Sequence, residues 1–304
     1  MEANFVYRPK CELCGSERKQ ILVSVDFSDS SVWDFLESYY NSRIDVSVVK
    51  GVNYEVAKCL DCDFVWQVYV LNEQMMDKLY NVWISEEHSL NKKKYADGSL
   101  FDKYAREARS ISHLLNKKHH QIRVLDFGMG WGHWCRMAKA FGYDVKGFEV
   151  SPSRIAYAKE MGIDVIESYN DINKYTFDFI NSEQVFEHIS NPLAIVNYLS
   201  SRLEIGGIIK IAVPNGSRTL KRLPQKNWKA AKNALHPLEH INCFTHHSLK
   251  EMGKRGSLEY LNVPQPIISK SRKETIFNII AKLTGWHNNR GTDLYFRKVY
   301  ETSN

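Results

Sequence analysis

The run Val124-Leu-Asp-Phe-Gly-Met-Gly-Trp-Gly132 constrains this chain more than any other stretch. Val124 to Phe127 reads as a short buried strand. Gly128, Gly130 and Gly132 follow at alternate positions, and His133 to Ala140 reads as a helix stopped near Gly142. Asp144 to Phe148 makes a second strand that ends on an acid, Glu149. A strand, a glycine turn, a helix and an acid-tipped strand form a nucleotide-binding half-site. The glycines let the backbone turn sharply and approach a ligand closely, and a carboxylate at the strand tip can accept both hydroxyls of a ribose. In a dinucleotide fingerprint, G-x-G-x-x-G, the third glycine would fall at position 133, which is His133. The run here is G-x-G-x-G with Asp126 ahead of it, so a pyrophosphate on a helix N-terminus is not the expected ligand.

The rest of the chain repeats the strand–helix alternation. Ser151 and Pro152 open a helix to about Met161, and Ile163 to Ile166 is a third strand. Tyr175 to Ser182 is a fourth, and Glu183 to Pro192 leads into a helix through Leu203. Ile208 to Asn215 is a fifth strand. Thr245 begins a helix, a strand lies around Ile267-Ile268, a helix runs from Lys273 to Leu283, and Thr292 to Val299 closes the series. Seven strands alternating with helices predict an α/β, doubly wound, mostly parallel sheet. Phe101 to Leu115 is an amphipathic helix before it, with Tyr104, Ala108, Ile111 and Leu114-Leu115 on one side.

Of the six cysteines in 304 residues, four form two C-x-x-C pairs: Cys11 with Cys14, and Cys59 with Cys62. Four thiolates suit tetrahedral Zn²⁺, and a closed four-cysteine set is structural rather than catalytic. An iron–sulfur cluster and four unconnected buried cysteines are the alternatives. The long insert between the pairs costs little, because loop-closure entropy grows only logarithmically. Ile21 to Val25 and Val46 to Val49 read as strands over the metal, and Asp29 caps a short helix containing Val32 to Leu36. These readings divide the chain into a ribbon-like zinc-binding domain (1–72), a helical connector or lid (73–120) and the α/β domain (121–304). No apolar run approaches the ~20 residues of a membrane span, and Met1 to Lys10 lacks a signal-peptide h-region. A cytoplasmic protein is expected. A net charge of +6 suits an anionic substrate.

Asp126-Phe-Gly-Met-Gly-Trp-Gly132, Glu149 before Ser-Pro-Ser, and Phe177-Asp-Phe-Ile with Val185-Phe-Glu-His-Ile-Ser-Asn-Pro192 resemble class I S-adenosylmethionine-dependent methyltransferases over about 180 residues. The resemblance implies a seven-stranded Rossmann-like sheet and S-adenosylmethionine as cofactor. It places Asp126, Gly128, Gly130 and Gly132 at the methionine portion and Glu149 at the ribose. Ser168 or a neighbour would approach the adenine, and Glu183 and Gln184 would lie beside the sulfonium. A four-cysteine zinc domain ahead of this fold is similar to the sugar methyltransferases that act on nucleotide-linked deoxysugars. That likeness implies catalytic or substrate roles for Glu239-His240 and His188, with His240 as the general base. The C-methylating members carry a further C-terminal domain, so O-methylation of a sugar, nucleotide sugar or surface-glycan precursor is the expected reaction. Two rivals stand beside it. One is an RNA methyltransferase docking through its zinc module and the basic stretch from Gly216 to Arg255. The other is a non-catalytic zinc scaffold with a vestigial cofactor fold.

Overall fold

The computed structural model describes residues 4–84, 90–91, 98–223, 225, 227–263 and 292–300. The N-terminal part runs β1 (Phe5–Tyr7), β2 (Lys19–Asp26), a helix over Ser30–Tyr39, β3 (Asn53–Cys59), β4 (Val65–Gln67) and β5 (Tyr69–Leu71). Asp29 caps the helix by accepting from the Ser31 amide at 2.8 Å. Val32 and Leu36, one turn apart, are buried. The expected strand at Val46 to Val49 is instead a short 3-10 turn over Val46–Val48. The Asp45 carboxylate takes the Ser47 amide at 2.8 Å and turns the chain. The strand forms later, at β3.

The second half holds β6 (Arg123–Phe127), β7 (Asp144–Phe148), β8 (Asp164–Ile166), β9 (Phe177–Glu183), β10 (Leu203–Val213), β11 (Asn242–Cys243), β12 (Leu258–Leu261) and β13 (Thr292–Lys298). Seven of these form one sheet in the order β12-β13-β10-β9-β6-β7-β8. The pairs from β10 through β9, β6 and β7 to β8 are parallel. β13 runs antiparallel to both β10 and β12. The sheet strand before β13 is therefore β12; the expected strand at Ile267-Ile268 and helix from Lys273 to Leu283 lie outside the described residues. β9 is buried along nearly its whole length, as a central strand covered on both faces must be. The chain lays β7 and β8 to one side of β6, then returns to lay β9 and β10 on the other. That reversal opens a crevice at the carboxyl ends of β6 and β9.

The two halves share a core. β11 pairs with β4, placing Asn242 opposite Trp66 and Cys243 opposite Val65, and so completes a sheet β11-β4-β3-β2. Cys11, Leu13, Phe64 and Trp66 pack in one cluster with Phe127, Phe148, Ile180 and Phe244. Each large apolar side chain buried there contributes on the order of 2 kcal/mol. Polar groups cross the same seam. The buried Arg8 guanidinium donates to the Ser190 carbonyl and to Asn242 Oδ1, both at 2.9 Å. Gln67 Nε2 donates to the carbonyls of His236 and His240, both at 2.9 Å. Asn242 Nδ2 donates to the carbonyls of Phe186 and Ile189 at 2.9 and 2.6 Å. Burial lowers the Arg8 pKa to about 10, which leaves it charged at neutral pH.

Asp178, near the start of β9, is 1% exposed and accepts from the Arg123 amide at 2.9 Å, Arg123 Nε at 3.1 Å and Lys117 Nζ at 2.7 Å. Burial pushes this carboxyl up, but the hydrogen bonds from Arg123 and Lys117 outweigh it and hold the pKa below 3.8. A depressed folded pKa gives stability that is present above the unfolded value and is lost as pH falls through the folded one. Asp178→Asn is expected to lower stability at pH 7 by about 2 kcal/mol and to weaken the acid-induced loss below about pH 4. Urea unfolding at neutral and acid pH measures both; identical pH profiles in the two proteins would contradict the assignment.

Candidate active site

A cleft of about 1380 Å³ opens at the carboxyl ends of β6, β7 and β9. Its floor is Phe127, Gly128, Phe148 and Glu149. One wall carries Gln184, Val185 and His188, and the other carries Tyr39, Tyr40, Tyr80 and Trp83 from the N-terminal part. Gly128, Gly130 and Gly132 all take positive φ, at 74°, 57° and 71°. At Gly128 a Cβ would lie 2.5 Å from Val185 Cγ2, so only glycine lets the turn seat against the β9 loop. At Gly130 a Cβ would meet nothing within 4 Å; the strain there is backbone strain alone.

Glu149 is nearly buried and is held from behind. Its carboxylate accepts from the amides of Gly130, Val150 and Ser151 at 3.0, 2.8 and 3.0 Å. Arg154 Nη1 lies 3.7 Å away. Of the roughly four acceptor sites of a carboxylate, three take amides, which leaves one, on Oε2, that fits a ribose hydroxyl. Asp126 lies beneath the turn and is absent from the cleft lining. It accepts from Asn181 Nδ2 at 2.7 Å and Cys135 Sγ at 3.3 Å, and burial lifts its pKa to about 6. Cys135 thus packs, as its helix position suggests.

Gln184 reaches the cleft with φ at 58°, whereas Glu183 turns to Lys103 at 2.9 Å and to the fully buried Lys210 at 3.5 Å. Ser168 caps the short helix Tyr169–Ile172, accepting from the Asp171 amide at 3.3 Å. Its neighbour Tyr169 lines the cleft, with its ring 4.8 Å from that of Phe148.

The end of the cleft away from Gly128 carries histidines and acids. His188 Nδ1 lies 2.8 Å from the Glu239 carbonyl, and His240 Nδ1 lies 2.7 Å from the Asn233 carbonyl. Carbonyls only accept, so these two contacts put the proton on Nδ1 and leave a lone pair on Nε2; the Tyr80 hydroxyl also lies 3.1 Å from His188 Nδ1. Burial pushes His188 down to about 3 and His240 to about 4, so both are neutral. Glu239 lines the cleft and accepts from Tyr40 Oη at 2.7 Å. The His236 ring stacks 4.2 Å behind that of His240, away from solvent. Glu187, singled out only as part of the Glu-His-Ile-Ser-Asn-Pro phrase, is 1% exposed; burial raises its carboxyl to about 8.

Cys11, Cys14, Cys59 and Cys62 place their sulfurs within 4.8 Å of one another. Cys11 to Cys62 and Cys14 to Cys59 are each 3.5 Å, far beyond the ~2.05 Å of a disulfide. Two sulfurs bound tetrahedrally at ~2.3 Å stand about 3.8 Å apart, so the set fits one metal ion. The Asp61 amide points at Cys59 Sγ from 3.4 Å. Hydrogen bonding between Cys11 and Cys62 draws Cys62 down and pushes Cys11 up, so the pair shares a proton.

A family model described as a methyltransferase domain matches residues 97–262. Curated relatives include the ubiquinone biosynthesis O-methyltransferases of Bradyrhizobium sp. (strain ORS 278) and Vibrio cholerae serotype O1. The first is 28% identical over 149 residues, covering 46% of this chain and 52% of that protein. The second is 23% identical over 155 residues, covering 44% and 63%. The chain thus spans between half and two thirds of these relatives' lengths. Among solved structures, the plantazolicin methyltransferase BpumL in complex with SAH matches with a TM-score of 0.51 at 15% identity, covering 74% of this chain and 93% of that one. That likeness shows the fold.

Gly130→Arg puts a long side chain into the open space over the turn. It is expected to weaken S-adenosylhomocysteine binding by about 100-fold or more, roughly 2.7 kcal/mol, with circular dichroism unchanged. Calorimetric titration checks this, and unaltered affinity would remove the turn from the cofactor site.

Proposed function

The chain belongs to the methyltransferase domain family; from that premise we propose that it is an S-adenosylmethionine-dependent enzyme that methylates a hydroxyl oxygen of a small, anionic acceptor, a sugar or glycan precursor foremost. The observation that carries the proposal is that one cleft joins Gly128 and Glu149 at one end to His188 and Glu239 at the other. S-adenosylmethionine supplies a methyl group on a sulfonium. The chain's own residues position the partners: Glu149 takes the ribose, Tyr169 and Phe148 offer apolar faces to the adenine, and Gln184 with Val185 borders the reacting end. Asp126 supports the turn from below, and Ser168 holds Tyr169 in place.

Oxygen as acceptor is supported by the relatives' name, O-methyltransferase. A small acceptor suits an enclosed cleft walled by Tyr39, Tyr40, Tyr80 and Trp83, whose faces match the apolar face of a sugar ring. Arg43, Arg154 and Lys232 border the same cleft and favour an anionic group. An alcohol is a poor nucleophile until its proton is handled. His188, which lines the cleft, takes that proton on its neutral Nε2, with the His240 ring 4.9 Å behind it and Glu239 holding a second hydroxyl. The four cysteines hold a structural zinc ion, which anchors the N-terminal sheet. Cysteines kept as thiols suit a reducing compartment such as the cytoplasm. Among the described residues no helix is long and apolar enough to cross a membrane.

The test is transfer of labelled methyl from S-adenosylmethionine into host RNA and into small molecules with soluble glycans. Label is expected in the second fraction, resistant to nuclease and recovered as a methyl ether. Label destroyed by nuclease would establish the RNA reading instead, and no transfer would favour the scaffold. His240→Ala is expected to lower turnover by about 10²–10⁴-fold with cofactor affinity kept; near-normal turnover would take His240 out of the reaction.

A further inference from the structure

The wall that carries His188 holds a group with no partner. Neither carboxylate oxygen of Glu187 meets a hydrogen-bond donor among the described residues, although both are shielded from solvent. An unpaired buried carboxylate costs several kcal/mol, and a neutral carboxylic acid there would leave its O–H equally without an acceptor. Such a group implies a partner that is not part of the chain.

The neighbours indicate its chemistry. One ligating atom each from Glu187, His188 and His240 lies within 4.8 Å of the others. His188 Nε2 stands 3.9 Å from Glu187 Oε1. Two ligands ~2.0–2.2 Å from one ion are separated by about 3–4 Å, so the Glu187–His188 pair already fits and the set closes by at most about 1 Å to hold an ion. Each imidazole donates its Nδ1 proton to a backbone carbonyl, of Glu239 and of Asn233. That is the outer-sphere hydrogen bond by which metal-ligating histidines are oriented, with Nε2 left free to bind. The carbonyls cannot move far, because Gln67 and Asn242 tie down the chain on either side.

We propose that Glu187, His188 and His240 bind a divalent first-row transition ion just behind the cleft lining, where His188 borders the cleft, a second metal site separate from the four cysteines. Two imidazoles and one carboxylate favour Zn²⁺ or a neighbouring ion over Mg²⁺ and Ca²⁺, which prefer all-oxygen shells. Three protein ligands leave a fourth position open, and His188 is the ligand that borders the cleft. The proposal rests on the hydroxyl-acceptor reading for its role: the ion lowers the acceptor hydroxyl's pKa, and the released proton passes to water. His188 and His240 then act as ligands, which removes the need for an imidazole with a pKa near 7.

Zinc content tests this, measured after dialysis of the full chain in a zinc buffer, without cofactor or acceptor. Wild type is expected to hold two zinc ions, one for each cluster. Glu187→Gln and His240→Ala should each hold one and bind the second with roughly 100-fold or greater loss of affinity. The zinc retained by the cysteines reports that these variants are folded, and Cys11→Ser identifies which ion is which. A wild type holding only the ion that Cys11→Ser releases would overturn the proposal, as would unaltered second-site affinity in both cleft variants. The hydroxyl-acceptor reading fails separately, if the transferred methyl is found on nitrogen or carbon.

Discussion

Asn242 is the side chain on which the geometry of the acceptor end depends. Its backbone pairs with Trp66 in the N-terminal sheet, its Oδ1 accepts from Arg8, and its Nδ2 holds the carbonyls of Phe186 and Ile189. It therefore joins the four-cysteine module, the seam and the loop bearing Glu187 and His188. Gln67 does the same for the loop bearing His236 and His240. Buried hydrogen bonds of this kind add about 1 kcal/mol each when made, yet cost more when one partner is lost. The seam fixes position more than it adds stability. Its length explains why the four-cysteine cluster lies in the same apolar core as the parallel sheet.

The cofactor end rests on a different constraint. Positive φ at the three glycines, the close seat of Gly128 on Val185 and the three amides on Glu149 are all local to the β6–β7 unit. A second carboxylate is kept clear of it. Glu183, which follows the buried part of β9, is drawn away by Lys103 and Lys210. The buried Lys210 is also held by Glu107 at 2.7 Å. The cleft thus joins an end fixed by backbone conformation to an end fixed by long-range polar contacts.

That difference explains what was legible in the sequence. The helix His133–Ala140 and the strand Asp144–Phe148 fall where glycine spacing and alternation place them, because their determinants are adjacent in the chain. The four cysteines were legible for the same reason. The stretch Val46 to Val49 misled because its apolar alternation is outweighed by one side-chain hydrogen bond from Asp45. β11 is only two residues long, and pairing with β4 defines it rather than propensity. Arg8, Gln67 and Asn242 act through partners up to 234 positions away, and Glu187 is marked only by its burial in the folded chain; composition and spacing record neither. Tyr169 was within reach as the neighbour of Ser168, after the third strand of the expected fold.

The central claim is that the N-terminal module sets the acceptor side while the cofactor side stands on its own. It is tested most directly with Gln67→Met, which keeps the bulk of the side chain and removes its hydrogen bonds to the His236 and His240 carbonyls. Turnover with the labelled acceptor fraction and S-adenosylhomocysteine affinity are measured on the same preparation. The account predicts turnover down by about 10²-fold, as expected when reacting groups shift by roughly 1 Å, with affinity unchanged. Unchanged turnover, or loss of turnover and affinity together, would contradict it.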